Sequence, residues 1–290
     1  MKSAFAVALI NLLGRVPTAL ADRVAASVAR VALGPKSRAY QTTKTNLAKA
    51  MPEMDAVSRE KLIRASLVDL AKKFSRFARV WVKGPGCMPI ADPEDMQTWE
   101  TLSTHPKGSI LLVPHLGNWE LLGGWISKHG PLNAMYRPAK IEGLDQLILQ
   151  GRESSGFKAH PANVKGVASL LKALKKGEMI AILPDQEPDL SSGEFAPFFG
   201  IPAYTMTLAY KLAQKSPESP VLVLSAVEAE NGHYQVVFER LTPEFGKRDT
   251  EAALTEMNQG IEKLVRAYPE QYQWEYKRYK KRPDSSDRLY

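Results

Sequence analysis

The chain has 290 residues and a formal net charge of +8 at pH 7, with an isoelectric point near 9.4. This length can bury one large core or a core with an appended helical layer. The charge favours anionic partners such as nucleic acid, an anionic membrane surface or an acidic carrier protein. The single cysteine, Cys87, excludes a disulfide framework and a thiolate metal site, and the five histidines lack metal-ligand spacing.

The N-terminal stretch imitates a secretory signal, with Lys2 followed by an apolar run at 4–10. Asn11 and Arg15 interrupt the run, and apolar residues continue at helical spacing to Val31. We therefore predict an uncleaved helix, and the run is shorter than the roughly 20 apolar residues that a spanning helix needs. A helix lying in the membrane interface and a helix packed on the protein's own core fit this pattern equally well.

A second helix is predicted at 58–83, beginning near Ser58 and ended by the Gly-Pro-Gly sequence at 84–86. One of its faces is apolar, and the other carries basic residues that we expect to be solvated, namely Lys72, Lys73, Arg76 and Arg79. We divide the chain into an N-terminal helical, membrane-associating segment at 1–84 and an α/β catalytic core at 85–290.

From residue 108 onward, short apolar runs alternate with helical patterns. Strands are predicted near 109–114, 132–136, 157–160 and 178–183, and helices near 118–129, 144–155, 164–176, 202–215 and 250–268. Residues 195–202 are expected to form a rigid apolar loop, and Asn231-Gly232 predicts a β-hairpin between 221–228 and 234–241. The predicted fold class is α/β, with a mainly parallel, mixed central sheet, helices on both faces and an N-terminal helical layer.

The first polar cluster follows the strand at 109–114, where a turn leads into a helix and open α/β folds bind their ligands. His115 and Glu120 do not share a helical face, so they can meet only if the chain turns at Gly117-Asn118. A carboxylate that contacts the imidazole would fix its tautomer and make it a general base for a substrate hydroxyl. A buried structural histidine explains the position equally well.

Three further clusters lie at predicted strand ends or turns: Tyr136-Arg137-Pro138, the segment 151–156 with Arg152, and Pro184-Asp185-Gln186. An arginine at a strand end can hold a carboxylate, a phosphate or an oxyanion, although a surface ion pair is an equal alternative for Arg137. The segment at 151–156 lacks the spacing of a dinucleotide fingerprint or a P-loop, which disfavours a nucleotide. The chain also lacks a G-x-S-x-G elbow, which disfavours a serine hydrolase.

At these clusters the sequence resembles the late acyltransferases of lipid A biosynthesis, a branch of the glycerolipid acyltransferases with a His-x4-Asp/Glu signature. The His-Leu-Gly-Asn-Trp-Glu segment at 115–120 is similar to that branch's form of the signature. Similar further blocks are Asn46-Leu47 with Met51-Pro52, Tyr136-Arg137-Pro138, Gly151-Arg152, Pro184-Asp185-Gln186, 197–205 and the tail through Trp274, Arg278 and Arg282-Pro283. The family usually begins with a clearer membrane anchor, and Glu187 stands where we expect an aspartate.

The resemblance implies transfer of a fatty acyl group from acyl carrier protein to a hydroxyl of a lipid A precursor. It implies an anionic lipid acceptor and a place at the cytoplasmic face of the bacterial inner membrane. We expect no cofactor and no metal, because the thioester is already activated, and no nucleic acid, because the sequence lacks a zinc-knuckle, RNP-like or helix-turn-helix pattern. Within that reaction we expect His115 to be the general base and Glu120 its partner. Asn118, backbone amides at the helix start or Arg137 would stabilise the oxyanion. Arg152 would hold acceptor phosphate, with Asp185 orienting it.

Two alternatives stay open. The chain could be an acyltransferase of the same fold that acts on another lipid, such as a lysophospholipid or an aminolipid. It could also be a non-catalytic protein that binds membrane surfaces through its basic helices. A mere binder has no need of a paired base and carboxylate, so the sequence favours an enzyme.

Overall fold

The computed structural model describes residues 2–139, 141–284 and 289–290, with the backbone alone described at Lys2. The N-terminal layer consists of α1 (Lys2–Arg15), α2 (Thr18–Ala32), α3 (Arg38–Ala50) and α4 (Ala56–Lys83). Pro17 precedes α2 and separates it from α1, because a proline fits the start of a helix but not its interior. Within the described residues, none of the helices combines the length and the apolar character needed to cross a membrane.

Helix α4 differs from its prediction at both its start and its basic face. Asp55 caps the helix by accepting hydrogen bonds from the backbone of Val57 and Ser58, so α4 begins before Ser58. The prediction of a solvated basic face is wrong for Lys73 and Arg76, which are both buried. Lys73 donates to the carbonyl of Gln271 and pairs with Asp69, while Arg76 pairs with Glu228 and Asp22. These cations tie α4 to the rest of the fold.

The α/β part follows α4. Its elements in chain order are β1 (Ile90–Ala91), α5 (Met96–Ser103), β2 (Ser109–Leu112), α6 (Trp119–His129), β3 (Leu132–Tyr136), α7 (Glu142–Glu153), β4 (Phe157–Pro161), α8 (Val164–Lys175), β5 (Met179–Ile182), β6 (Gly193–Phe198), β7 (Ile201–Met206), α9 (Leu208–Lys215), β8 (Val221–Glu228), β9 (Tyr234–Arg240) and α10 (Thr250–Ala267). Seven strands form one sheet in the order β1-β9-β8-β2-β5-β3-β4.

This sheet confirms the predicted fold class. The strands from β8 through β2, β5 and β3 to β4 are parallel, and β9 runs antiparallel to β8 through the predicted hairpin. Successive side chains of a strand point to opposite faces. Accordingly, Ile110 and Leu112 of β2 pack into one apolar cluster, and Leu111 packs into another on the opposite face. The sheet is therefore buried by helices on both sides.

The segment 193–206 corrects two predictions. Residues expected to form a loop and the start of a helix instead form a second sheet, in which β6 pairs antiparallel with β7. Phe199 and Gly200 form the turn with φ values of 51° and 73°, as a two-residue hairpin turn with positive φ at both central positions requires. The following helix begins only at Leu208.

Candidate functional site

The site begins where two neighbouring parallel strands end. Leu112 of β2 is in register with Ile182 of β5, and the backbone N–H of Val113 donates to the Ile182 carbonyl at 2.8 Å. Each strand then continues through one apolar residue and a proline, to His115 after β2 and to Asp185 after β5. Because both polar residues stand three positions beyond a register pair, the sheet itself brings them together.

His115 and Asp185 form a doubly bonded pair. The imidazole Nδ1 lies 2.8 Å from Asp185 Oδ1, and the backbone N–H of His115 donates to Oδ2 at 2.9 Å. Burial of Asp185 by itself would raise the pKa of its carboxyl, but the adjacent His115 outweighs burial and holds that pKa below its ordinary value. An ionised Asp185 accepts the Nδ1 proton, which leaves the lone pair of His115 on Nε2.

The turn after His115 is fixed by close backbone packing. Gly117 has a φ of 61°, and a Cβ at this position would lie 2.0 Å from the carbonyl oxygen of Ala226, so only glycine fits. Asn118 then caps α6, as predicted, by accepting a hydrogen bond from the Leu121 N–H at 3.0 Å. The His115 ring packs edge-on against Trp119, with the ring centroids 4.9 Å apart.

Glu120 and Arg152 form a second pair beside the first. Arg152 Nε donates to Glu120 Oε2 at 2.9 Å, and Nη2 donates to Oε1. The guanidinium therefore binds the carboxylate through two hydrogen bonds. The guanidinium carbon also lies 5.1 Å from the ring centre of Tyr136. Burial would lower the pKa of Arg152, but the Glu120 carboxylate outweighs burial and raises it, so the guanidinium stays charged.

His115, Glu120 and Arg152 line one cavity of about 520 Å³, which is within the range of small-molecule sites. Asp185 lies buried behind His115. Apolar side chains also line the cavity, namely Val80, Trp81, Leu132, Ala134 and Phe157. Arg137 also contributes to the lining, with a side chain that is 81% exposed and 4.0 Å from Asp189. The cavity thus combines apolar side chains, the imidazole of His115, which is paired with a carboxylate, and the exposed positive charge of Arg137.

The arrangement suits proton abstraction from a hydroxyl group. Within the described chain, Nε2 of His115 takes part in no hydrogen bond, and the His115 side chain lines the cavity. Among the same residues, no group of three or more His, Cys, Asp and Glu side chains is placed to hold a metal ion. The geometry places an imidazole, held by a buried carboxylate, next to an apolar space, as the predicted general base requires.

Comparison with known proteins adds the family. The model of the bacterial lipid A biosynthesis acyltransferases matches residues 2–281. The chain belongs to this family. It is 27% identical over 258 residues to the lipid A biosynthesis palmitoleoyltransferase of Escherichia coli (strain K12), covering 87% of this chain and 82% of that protein. It is 25% identical over 282 residues to the lipid A biosynthesis lauroyltransferase of the same organism, covering 96% and 91%.

A relative from Haemophilus influenzae (strain ATCC 51907 / DSM 11121 / KW20 / Rd), a lipid A biosynthesis acyltransferase, is 28% identical over 290 residues. That match covers 95% of this chain and 86% of the relative. The similarity therefore spans the N-terminal helical layer as well as the α/β part. It confirms the family resemblance inferred from the short blocks around His115, Arg137, Arg152 and Asp185.

The structure corrects the pairing of the site residues in this family member. The sequence prediction joined His115 to Glu120 and Arg152 to Asp185, whereas the structure joins His115 to Asp185 and Arg152 to Glu120. The physical reason is the sheet register, which fixes residues after β2 and β5 side by side, while Glu120 lies in the first turn of α6 and reaches α7. The catalytic roles of these residues stay predictions.

Two other predicted site residues, Asn118 and Arg137, differ in their exposure to solvent. Asn118 is 1% exposed, and its side-chain oxygen and backbone N–H are bonded to Leu121 and Ala226. These contacts cap α6, whereas the side-chain Nδ2 of Asn118 is buried without a hydrogen-bond partner among the described atoms. The oxyanion role of Asn118 stays a prediction. Arg137, in contrast, is the exposed cation of the cavity lining.

Sequence reasoning missed the importance of Trp119 and Tyr136, which pack against the His115 ring and the Arg152 guanidinium. The signal that could have found the partner of His115 is the repeated apolar-Pro-polar ending, Val113-Pro114-His115 and Leu183-Pro184-Asp185.

Proposed function

We propose that this protein transfers a fatty acyl group from acyl carrier protein to a hydroxyl of a lipid A precursor, at the cytoplasmic face of the bacterial inner membrane. Family membership supports the acyl transfer and the lipid A acceptor. The observation that carries the proposal is the Asp185-held imidazole of His115 in the wall of an apolar cavity large enough for a fatty acyl chain.

In the proposed reaction, Nε2 of His115 removes the proton of the acceptor hydroxyl while that oxygen attacks the thioester carbonyl. The tetrahedral intermediate then collapses, the C–S bond breaks, and the imidazolium returns the proton to the departing thiolate of the carrier. Asp185 keeps the ring in the required tautomer and balances its transient charge. General-base help of this kind contributes typically about 10²–10⁴-fold.

Arg152 is the proposed ligand of the acceptor's phosphate, and Glu120 is the residue that positions it. A guanidinium has five N–H donors, of which two are bonded to Glu120, so three remain for an anionic oxygen. The exposed Arg137 adds a second cation for the same phosphate-bearing acceptor or for the oxyanion.

The proposed membrane contact lies on α1 and α2. Exposed large apolar side chains recur at helical spacing on each helix, namely Phe5, Leu9 and Leu12 on α1 and Leu20, Val24, Val28 and Val31 on α2. Arg15, Arg23 and Arg30 provide positive charge on the same two helices. This combination is typical of helices that lie in the interface of an anionic membrane.

The position of α1 links this surface to the site. The N–H of Gly143 on α7 donates to Ser3 Oγ at 3.2 Å, and α7 also carries Arg152. A membrane-bound α1 would therefore hold the acceptor-binding side of the cavity close to the lipid headgroups.

The direct experiment incubates the purified protein with acyl carrier proteins that bear different acyl chains and with a lipid A precursor, and measures product masses. We expect one acyl group to be added to the precursor in an ester that mild alkali releases. Acyl transfer to a lysophospholipid or an aminolipid instead would replace the proposed acceptor. Absence of turnover on all three acceptors, with membrane binding retained, would favour a non-catalytic binding protein.

The membrane contact is tested separately by sedimentation with vesicles that contain anionic phospholipid. The variant Val24→Glu/Val28→Glu should lose vesicle binding, because two charges would enter the apolar boundary. Val57→Glu is the matched control, since Val57 is 81% exposed but lies at the start of α4. Equal binding by both variants would remove α2 from the proposal.

A further inference from the structure

Three glycines contribute to the cavity wall, and two of them are explained by helix packing. A Cβ on Gly124 would lie 2.0 Å from the Cβ of Pro85, and a Cβ on Gly151 would lie 2.8 Å from the Cα of Trp81. Both contacts are closer than real Cβ atoms approach, so a side chain at either position would push α6 or α7 away from its neighbour.

Gly123 is different because packing does not require it. Among the described atoms, a Cβ at Gly123 would meet nothing within 4 Å, although Gly123 lies inside α6 and lines the cavity. The φ of Gly123 is not positive, so its backbone conformation does not require glycine either. A glycine inside a helix costs about 0.5–1 kcal/mol relative to alanine. The presence of glycine at position 123 therefore needs an explanation other than packing or backbone conformation.

The location of Gly123 suggests that reason. It lies one helical turn beyond Trp119, about 6 Å along the axis of α6 and away from His115. Residues of β3 between Leu132 and Tyr136 also line the cavity, over a span of about 13 Å at the usual rise of a strand. Gly123 thus lines the cavity at a point one helical turn farther along α6 than Trp119.

We propose that Gly123 is a specificity-determining residue that leaves room for the distal methylenes of the transferred acyl chain. The inference deepens the proposed function and rests on it. A side chain at this position would fill the space and shorten the longest chain that the cavity accepts. Gly123 lies one helical turn from Trp119, which packs on His115, so the dependence of the rate on chain length, and not the overall rate, reports this effect.

The experiment compares Gly123→Ala and Gly123→Leu with the natural protein, using decanoyl, dodecanoyl, tetradecanoyl and hexadecanoyl carriers. A single methylene in an apolar pocket changes kcat/KM by about 10-fold or more. We expect Gly123→Leu to lower the long-chain to short-chain ratio of kcat/KM by at least about 10-fold, and Gly123→Ala to lower it less. Gly123→Ala should also raise the midpoint of thermal unfolding, which separates a pocket effect from a folding defect.

Gly34→Leu is the matched control, because its Cβ also meets no described atom within 4 Å but Gly34 lies outside this cavity. This control should leave the chain-length ratio unchanged. An unchanged ratio in a folded, active Gly123→Leu variant would overturn the inference.

A binding measurement keeps the inference separate from the proposed reaction. Titration of decanoate and hexadecanoate, followed by tryptophan fluorescence, should show that Gly123→Leu loses hexadecanoate binding while decanoate binding persists. If the natural protein transfers no acyl group yet shows this difference, the reaction is wrong and the role of Gly123 stands. If both ligands bind both proteins equally, Gly123 does not limit the cavity.

Discussion

His115 and Asp185 stand at matching positions, each three residues beyond the register pair formed by Leu112 and Ile182 of adjacent parallel strands. The imidazole and its carboxylate are consequently held by the sheet, with two hydrogen bonds from His115 to a side chain that is 2% exposed. A site built on strand ends in this way is rigid before substrate arrives. The helix α6 contributes Glu120 to a separate pair with Arg152.

Asp185→Asn tests which carboxylate serves the base. The amide would present N–H donors toward Nδ1 and favour the tautomer with its proton on Nε2, so kcat should fall by about 10²–10⁴-fold with little change in KM. Glu120→Gln is the comparison variant and should act mainly on the KM of the phosphorylated acceptor. Steady-state kinetics that show the larger kcat loss in Glu120→Gln would restore the pairing expected from the sequence.

The Glu120–Arg152 pair predicts strong coupling in a double-mutant cycle. Removing one partner of a largely buried pair leaves an uncompensated charge, so Glu120→Gln and Arg152→Gln should each destabilise the protein by about 3 kcal/mol. The double variant should be clearly more stable than the sum of the single losses predicts. Denaturant unfolding measures this directly, and additive losses would mean that the two side chains act independently.

Low pH should lower the free energy of unfolding, because the carboxylate of Asp185 becomes protonated. Its carboxyl has a lowered pKa in the folded state, so its contribution is fully present above the ordinary value of about 3.9 and is lost as the pH falls through the folded value. The difference in unfolding free energy between the natural protein and Asp185→Asn should therefore shrink as the pH falls below about 4. A difference that does not change with pH would show that His115 does not stabilise the ionised carboxylate.

Gly117→Ala should destabilise the protein more than an alanine substitution at another glycine with positive φ. The new methyl group would combine a left-handed backbone with a collision against the Ala226 carbonyl, displacing the turn that follows His115. Gly232→Ala is the matched control, because its φ is 75° but its Cβ meets no described atom within 4 Å. We expect about 1 kcal/mol of destabilisation for the control and a larger loss, with impaired activity, for Gly117→Ala. Similar thermal shifts in both variants would contradict a tight turn at Gly117.

Local signals were sufficient to predict much of the fold. Asn231-Gly232 identified the β8–β9 hairpin, and Asn118 identified the start of α6. The β6–β7 hairpin was missed because Pro197 and Pro202 suggested a loop and a helix start. In the structure these two prolines face each other across the hairpin, which is tolerated in a two-stranded sheet whose strands are both edges.

The pairing within the site could not be predicted from local spacing. The short spacing between His115 and Glu120 carries no information about Asp185, which follows β5 and lies 70 residues after His115 in the sequence. Which strands are neighbours is a property of the whole sheet. For the same reason, the burial of Arg76 depends on Glu228 and Asp22, which come from distant parts of the chain.

The most direct test of the account is the rate of acyl transfer by His115→Gln, measured by product mass with a carrier-bound acyl donor and a lipid A precursor. The variant retains a side chain of similar size, and thermal unfolding verifies that it is folded. The account predicts a rate at least about 10²-fold below that of the natural protein. A folded variant that transfers acyl groups at close to the natural rate would contradict the role of His115 as the base.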